Sequence, residues 1–165
     1  MNPYAAPGTQ PREAGSAGVD AERDIAEASP PRIARIAGAA VALAGVLVFL
    51  TGAQTLAVVS IRGPLGLLPW ALAVLGAGEL ALAAMVFRAR APGVVAAIAA
   101  SFLLVMVSGV WLVMSLSHGL FQLYAFGAPV ASLGGAVMAL IALGPSQRAS
   151  AARARLKQQG MDLGI

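Results

Sequence analysis

Four long apolar stretches, separated by short groups of polar, glycine and proline residues, occupy the chain from residue 32 onward. They run over residues 33–60, 65–87, 93–116 and 124–143. Each reaches or exceeds the roughly 20 residues that a helix needs to cross a hydrocarbon layer about 30 Å thick. The pattern predicts an all-α membrane protein in which four transmembrane helices form a compact bundle over residues 32–144.

Helix-terminating residues separate the stretches. The breaks are at residues 62–64, 88–92, 117–119 and 144–145. The last of them, Gly144-Pro145, predicts that the fourth span ends near Leu143. The basic tail that follows, residues 145–165, can form a separate short helix over residues 146–159 with Ser146 as its cap.

The first 31 residues contain five prolines, three glycines and no apolar run. Such a segment buries too little apolar surface to offset the entropy of ordering, so residues 1–31 are predicted to be a disordered tail. A brief helix over residues 20–29 is conceivable, but an isolated helix of this length is marginal in water. The segment also lacks the basic and apolar regions of a cleavable signal peptide.

Positive charge is unequally divided between the two sides of the predicted spans. Only Arg62 of the eleven Lys and Arg residues lies on the side opposite the termini. The other ten are Arg12, Arg23, Arg32, Arg35, Arg88, Arg90, Arg148, Arg153, Arg155 and Lys157. Positive loops stay in the cytoplasm, so both termini are predicted to be cytoplasmic. Five aromatic residues would then lie near the outer interface: Trp70, Trp111, Phe121, Tyr124 and Phe126.

Composition narrows the class of protein further. The chain is 59% hydrophobic and 11% charged, against roughly 45–50% and 25% in soluble domains. It has no cysteine, which excludes disulfide scaffolds and thiolate chemistry. Arginine outnumbers lysine ten to one, a bias typical of GC-rich coding sequences, which predicts a multi-pass protein of the bacterial cytoplasmic (inner) membrane.

Small residues recur at spacings that favour close packing of helices in lipid. Glycines 38, 45 and 52 are seven residues apart, and two further stripes have small residues at every fourth position. Those stripes are Ala73, Ala77 and Ala81, and Ala131, Gly135 and Ala139. Residues 75–84 also match residues 133–142 at five of ten positions, displaced by 58. A similar match at displacement 57 links the first and third spans, so the chain is interpreted as two tandem helical hairpins.

Glu79 is the only acidic residue within a predicted span. It lies nine residues before Arg88, hence about 13 Å from the basic interface at 1.5 Å per residue. Burial at that depth makes the neutral acid the default form. Small neighbours, Gly76 and Ala83, let another helix approach, and Ser101 lies at similar depth on the third span. We therefore expect a Glu79–Ser101 hydrogen bond, either as a proton or ion site or as a helix cross-link.

A second candidate site is a polar and aromatic patch at the outer side, formed by Gln54, His118, Gln122 and Tyr124. It is interpreted as a surface for a partner or as an ordinary interface belt. A single histidine per chain does not supply two axial haem ligands. Neither a catalytic constellation nor a metal cluster is evident, so no enzyme activity and no cofactor are predicted. Topology accounts for the basic pI near 10.7, and nucleic-acid binding is not predicted.

Two functional hypotheses follow from these observations. The first is a non-enzymatic integral membrane protein that serves as a structural or accessory subunit of a membrane complex or as a homo-oligomer in the lipid bilayer. The alternative is a small proton- or cation-coupled transporter or channel centred on Glu79. A transporter would usually carry further polar residues or a broken helix at mid-depth.

Overall fold

A computed structural model describes residues 14–58, 66–119 and 123–161. Five α-helices follow one another there: α1 (Ala14–Ala28), α2 (Arg32–Val58), α3 (Leu67–Phe87), α4 (Ala91–Ser117) and α5 (Leu123–Gln158). Each of α2, α3, α4 and α5 contains a segment long and apolar enough to cross a membrane, as predicted. The predicted breaks at residues 88–92 and 117–119 are turns, whereas the one at residues 62–64 lies outside the described residues.

The four spanning helices form an antiparallel ring in the order α2, α3, α4, α5. Each packs against its two neighbours in the ring, whereas the diagonal pair α2 and α4 makes little contact. The chain thus forms two consecutive hairpins, α2–α3 and α4–α5. We call the end of the ring with Arg88, Arg90 and Arg148 the basic end, and the opposite end, with the α4–α5 turn, the His118 end.

Buried positions recur at alternating intervals of three and four residues along every spanning helix. On α4 they are Val94, Ala97, Ser101, Leu104, Ser108, Trp111 and Ser115. A period of 3.5 residues is the geometry of left-handed four-helix bundles, in which one seam of each helix faces the common axis. Because these helices are apolar all round, the sequence does not distinguish the inner seam by hydrophobicity.

Side-chain size separates the inside of the bundle from the outside. Alanine, glycine and serine dominate the buried seams, while branched and aromatic side chains point outward. Val74 is 67% exposed, Met106 69% and Val130 72%. Soluble monomers rarely expose continuous apolar surfaces of this extent. The chain is therefore an integral membrane protein whose large apolar side chains contact lipid.

Glycines allow the backbones of α2 and α3 to touch. A Cβ atom built on Gly76 would lie 2.5 Å from the backbone nitrogen of Phe49 and 2.8 Å from the carbonyl oxygen of Gly45. One on Gly52 would lie 2.6 Å from the backbone nitrogen of Ala73. The predicted glycine stripe is thus a packing face. The predicted alanine stripe on α3 is divided: Ala73 lies against Gly52 of α2, whereas Ala77 and Ala81 are exposed on the outside of the ring.

The predicted break at residues 144–145 is wrong, because α5 continues through Pro145 to Gln158. A proline inside a helix costs about 3 kcal/mol. The residues beyond it offset that cost by packing, since Ala149, Ala152 and Leu156 are buried against other elements. Ser146 therefore does not cap a separate helix, and its side chain is buried within α5.

The disorder predicted for residues 1–31 is wrong for residues 14–28, which form α1, and residues 1–13 lie outside the described residues. This helix packs on the basic end of α5, where Ala28 joins Ala152, Leu156 and Met161 in a small apolar cluster. Asp24 also pairs with Arg155 at 3.0 Å. A helix that is marginal in isolation is stabilised by these tertiary contacts.

Arg153 joins three elements at the basic end. Its Nε donates to the carbonyl oxygen of Ala28 and its Nη1 to that of Arg88, both at 2.9 Å. These carbonyls belong to the C-terminal ends of α1 and α3, where backbone acceptors lack helical partners and the helix dipole favours a cation. Ser150 adds a weaker hydrogen bond from its Oγ to the carbonyl oxygen of Ala89 at 3.4 Å.

The sequence match that suggested a duplication does not pair the buried positions of α3 with those of α5. Gly76 is buried against α2, whereas Gly134, its counterpart 58 residues later, is exposed with no atom near its Cβ position. Between α2 and α4 the match is mixed: Thr51 and Ser108, 57 residues apart, are both buried, but Gly52 is in tight contact whereas Gly109 has open space. The hairpin architecture is present, and the matched residues share buried faces only in part.

We expect Gly76→Ala to lower the free energy of unfolding by about 1–3 kcal/mol, because the added methyl group overlaps backbone atoms of α2 that cannot move aside cheaply. Gly78→Ala is the matched control on the same helix, since nothing lies within 4 Å of its Cβ position. Reversible unfolding titrations with SDS in mixed micelles measure both. Equal stability of the two variants would contradict the close α2–α3 contact.

Candidate functional site

Glu79 lies on the inner seam of α3 and is fully buried. Its neighbours along the seam, Gly76 and Ala83, are also buried, as their small size predicted. Gly76 brings α2 close on one side. Apart from the Arg and Lys residues of α2 and α5 near the basic end, Glu79 is the only charged residue among the described residues of the spanning helices.

Ser101 holds Glu79 from the neighbouring helix. Its Oγ donates a hydrogen bond to Oε1 of Glu79 at 2.5 Å, joining α3 to α4. Gly93 makes this approach possible nearer the basic end, because a Cβ there would collide with that of Met85 on α3. The hydrogen bond predicted from helix depth is therefore present, and Ser101 is as fully buried as Glu79.

The other two helices enclose the pair. A Cβ built on Gly135 of α5 would lie 3.6 Å from Oγ of Ser101 and 3.4 Å from Cα of Val41 on α2. All four spanning helices therefore meet at the level of Glu79 and Ser101. A Cβ at these distances would make ordinary van der Waals contact, so α5 lies directly against the serine hydroxyl.

This arrangement supports only a narrow range of chemistry. Oε2 of Glu79 is buried and has no hydrogen-bond partner in the described part of the chain. No cation from another spanning helix faces the carboxyl group, so a buried anion would be uncompensated. Among the described residues, no group of three His, Cys, Asp or Glu side chains could hold a metal ion. The pair can bind and release a proton, or it can remain a neutral cross-link.

Buried hydroxyl groups that the sequence interpretation overlooked occupy the same seams. They are Thr51 and Thr55 on α2, Ser108 and Ser115 on α4, and Ser132 on α5. Ser108 and Thr51 donate to carbonyl oxygens one turn earlier in their own helices. Regular spacing could have identified part of this set, because Ser101, Ser108 and Ser115 are seven residues apart.

The proposed outer patch is not assembled into one site. Gln54 is half-buried, whereas Tyr124 and His118 are exposed, and no hydrogen bond joins the three. Nδ1 of His118 donates to the carbonyl oxygen of Met114 in its own helix. Gln122 lies outside the described residues. All of the described members nonetheless lie at the His118 end.

Trp111 departs from its expected place at the membrane interface. It is only 2% exposed and packs in an apolar cluster with Leu72, Leu104 and Ala128. Trp70 keeps the expected position and is 60% exposed at the same end. Both tryptophans therefore lie near the His118 end, as predicted, but Trp111 points into the bundle and Trp70 points outward.

Comparisons with protein-family models, curated proteins and solved structures find no match to this chain. Functional inference therefore depends on the geometry described above.

We expect Glu79→Gln to change the free energy of unfolding by less than about 1 kcal/mol, because the amide oxygen can still accept from Ser101. Glu79→Lys should cost about 2–3 kcal/mol, since it places a cation deep in the bundle. Ser101→Ala serves as the complementary variant and should cost about 0.5–1.5 kcal/mol. SDS unfolding titrations measure all three. A Gln variant as damaging as Lys would show that the bundle requires an ionised carboxylate.

Proposed function

We propose that the chain is a non-enzymatic integral membrane protein that serves as a structural or accessory subunit of a membrane complex, including a complex of its own copies. Its partners are the lipid bilayer and other transmembrane helices rather than nucleic acid. The outward face of α3 carries this proposal, since it presents four small exposed residues, namely Ala77, Gly78, Ala81 and Ala84. Small residues on a lipid-facing surface let the backbone of a second helix approach closely.

The other outward faces differ at the same depth. Near the level of Glu79, α2 presents Leu43, α4 presents Phe102, and α5 presents Val137. Such side chains fill the space that a partner backbone would need. The hydroxyl groups in the middle of these helices are buried inside the bundle, so the outward faces are apolar at this depth. The contrast favours α3 as the contact face and lipid as the environment of the other helices.

Ala81→Leu should release the chain from its complex, because the larger side chain fills the gap into which a partner helix packs. Val137→Leu on the outward face of α5 is the matched control and should leave assembly unchanged. Extraction into native nanodiscs followed by mass spectrometry gives the mass and composition of the assembly. A wild-type chain that is extracted alone, or an Ala81→Leu complex of unchanged mass, would refute the proposal.

A second candidate is a small proton- or cation-coupled transporter or channel centred on Glu79. The observation that favours it is Oε2 of Glu79, which is fully enclosed yet has no protein hydrogen-bond partner. Ion flux in reconstituted vesicles that is abolished in Glu79→Gln and retained in Glu79→Asp would support transport. Absence of flux in the wild type would remove this candidate.

We further propose that the protein lies in a bacterial cytoplasmic (inner) membrane with both termini in the cytoplasm. The distribution of arginines supports this, because Arg88, Arg90 and Arg148 are exposed at the end of the bundle that also contains α1 and the C-terminal end of α5. Positive charge near short loops stays on the cytoplasmic side.

Single-cysteine labelling tests the orientation, and the natural absence of cysteine makes each introduced thiol unambiguous. Gln159→Cys should react with an impermeant thiol reagent only from the cytoplasm, and Ser117→Cys only from the periplasm. Both residues are exposed, at opposite ends of the bundle. The reverse pattern of labelling would invert the topology. Ala89 is unsuitable for this purpose, since it is buried in the α3–α4 turn.

A further inference from the structure

Buried hydroxyl groups are concentrated on one side of the level of Glu79. Toward the His118 end, every spanning helix except α3 contributes a hydroxyl to the interior, beside the apolar cluster that contains Trp111. Next to Glu79 on the basic side, the core is a cluster of Ala37, Val41, Ala83, Val86, Val94, Ala97, Ala139 and Ala142. A buried serine, Ser146 on α5, lies one turn beyond Ala142, toward the basic end. The interior is thus apolar over the turns between Glu79 and Ser146, whereas hydroxyl groups recur from Glu79 to the His118 end.

Several buried atoms in the polar half, the one toward the His118 end, have no hydrogen-bond partner among the described residues. They are Oε2 of Glu79, Oγ of Ser132, Oγ of Ser115 and Oε1 of Gln54. Leaving such atoms unsatisfied costs free energy, and buried polar atoms without protein partners are usually bonded to internal water. Hydroxyls that donate back to their own helix, such as that of Ser108, still offer lone pairs to such water.

These atoms are distributed along the axis rather than gathered in one place. Ser101 and Ser115 are fourteen residues apart on α4, which corresponds to about 21 Å at 1.5 Å per residue. Ser108 lies midway between them. Ser132 lies one turn from Gly135, toward the His118 end, and Gly135 adjoins the hydroxyl of Ser101. Polar groups therefore recur from the Glu79 level to the end of α4.

The opposite direction is closed. On α3 the buried positions after Glu79, Ala83 and Val86, are aliphatic, and they pack with side chains of the other three helices in one continuous cluster that separates Glu79 from Ser146 and the basic end. Water has no polar partner there, and apolar interiors of this kind stay dry.

We infer that Glu79 is a proton-binding site that exchanges protons only with the aqueous phase at the His118 end, through water held by the buried hydroxyls. Uptake transfers one proton from hydronium to Oε2 and leaves a neutral acid and water, and release reverses the step. Ser101 donates to Oε1 in both states. No charged side chain of α2, α4 or α5 in the described spans faces the carboxyl group, and the described titratable side chains at the His118 end are His118 and Tyr124, both exposed. The inference goes beyond the proposed structural role, which needs no proton exchange.

Cysteine accessibility tests the one-sided path. Ser115→Cys and Ser132→Cys lie in the polar half, and Ala97→Cys and Ala139→Cys are matched controls in the apolar half. Silver ion is applied to one face of sealed vesicles at a time, and unreacted thiols are then counted with maleimide after denaturation in SDS. A thiol reacts only as thiolate, and hence where water reaches it.

We expect silver to block both polar-half cysteines from the face that carries the His118 end, and to leave both controls unblocked from either face. Three results would overturn the inference. The four cysteines could all be protected from silver to the same degree, they could all react with it to the same degree, or silver could block the polar-half cysteines from the basic end.

Infrared spectroscopy of the carboxyl group gives an independent measurement on the unsubstituted protein. The carboxylic-acid band that Glu79→Gln removes should exchange in D2O, and Ser132→Ala should slow that exchange several-fold. Ser146→Ala, a buried serine of the same helix near the basic end, is the control and should leave the rate unchanged. An acid band that does not exchange, or equal slowing by both serine variants, would contradict the path. Neither serine lies on the outward face of α3, so both variants should keep the native mass of the assembly. That mass therefore tests the structural role independently of proton exchange.

Discussion

Close contact between the backbones of α2 and α3 is the constraint on which the rest of the bundle depends. Lipid is as apolar as a leucine side chain, so helices in a membrane gain little from burying hydrophobic surface and associate through close packing and hydrogen bonds. Gly45, Gly52 and Gly76 allow that packing by removing the side chains that would keep the two helices apart. The antiparallel hairpin so formed presents Val41 to α5 and Glu79 to α4. The remaining two helices complete the ring against these surfaces.

The contact between α3 and α4 is the least extensive of the four neighbouring pairs, and it is also the contact that contains the Glu79–Ser101 hydrogen bond. A buried polar pair adds directional attraction where packing is sparse, at the cost of removing a carboxyl group from water. It also fixes the register of the second hairpin against the first. One interaction therefore has both a structural consequence and a chemical one, because the group that sets the register is also one that can bind a proton.

Much of the fold could be predicted from the sequence because membrane thickness and helix-breaking residues determine where each span begins and ends. Helix depth and the small neighbours of Glu79 were enough to pair it with Ser101. The sequence does not show which face of each helix is buried, because all four spanning helices are apolar on every side. For this reason it predicts Trp111 at the membrane interface, whereas its ring lies inside the bundle. Local rules also failed at Pro145 and in the N-terminal segment. In both places contacts distant in sequence, made by residues such as Leu156, outweigh the local preference of the chain.

The docking of α1 imposes an order on biosynthesis. Its contacts are with residues such as Arg153 and Leu156, near the opposite end of the chain. α1 is synthesised before α5, so its docking surface does not exist until α5 has been made. The Arg153 hydrogen bonds to the ends of α1 and α3 likewise require α5. The docking of α1 therefore follows the synthesis of all four spanning helices.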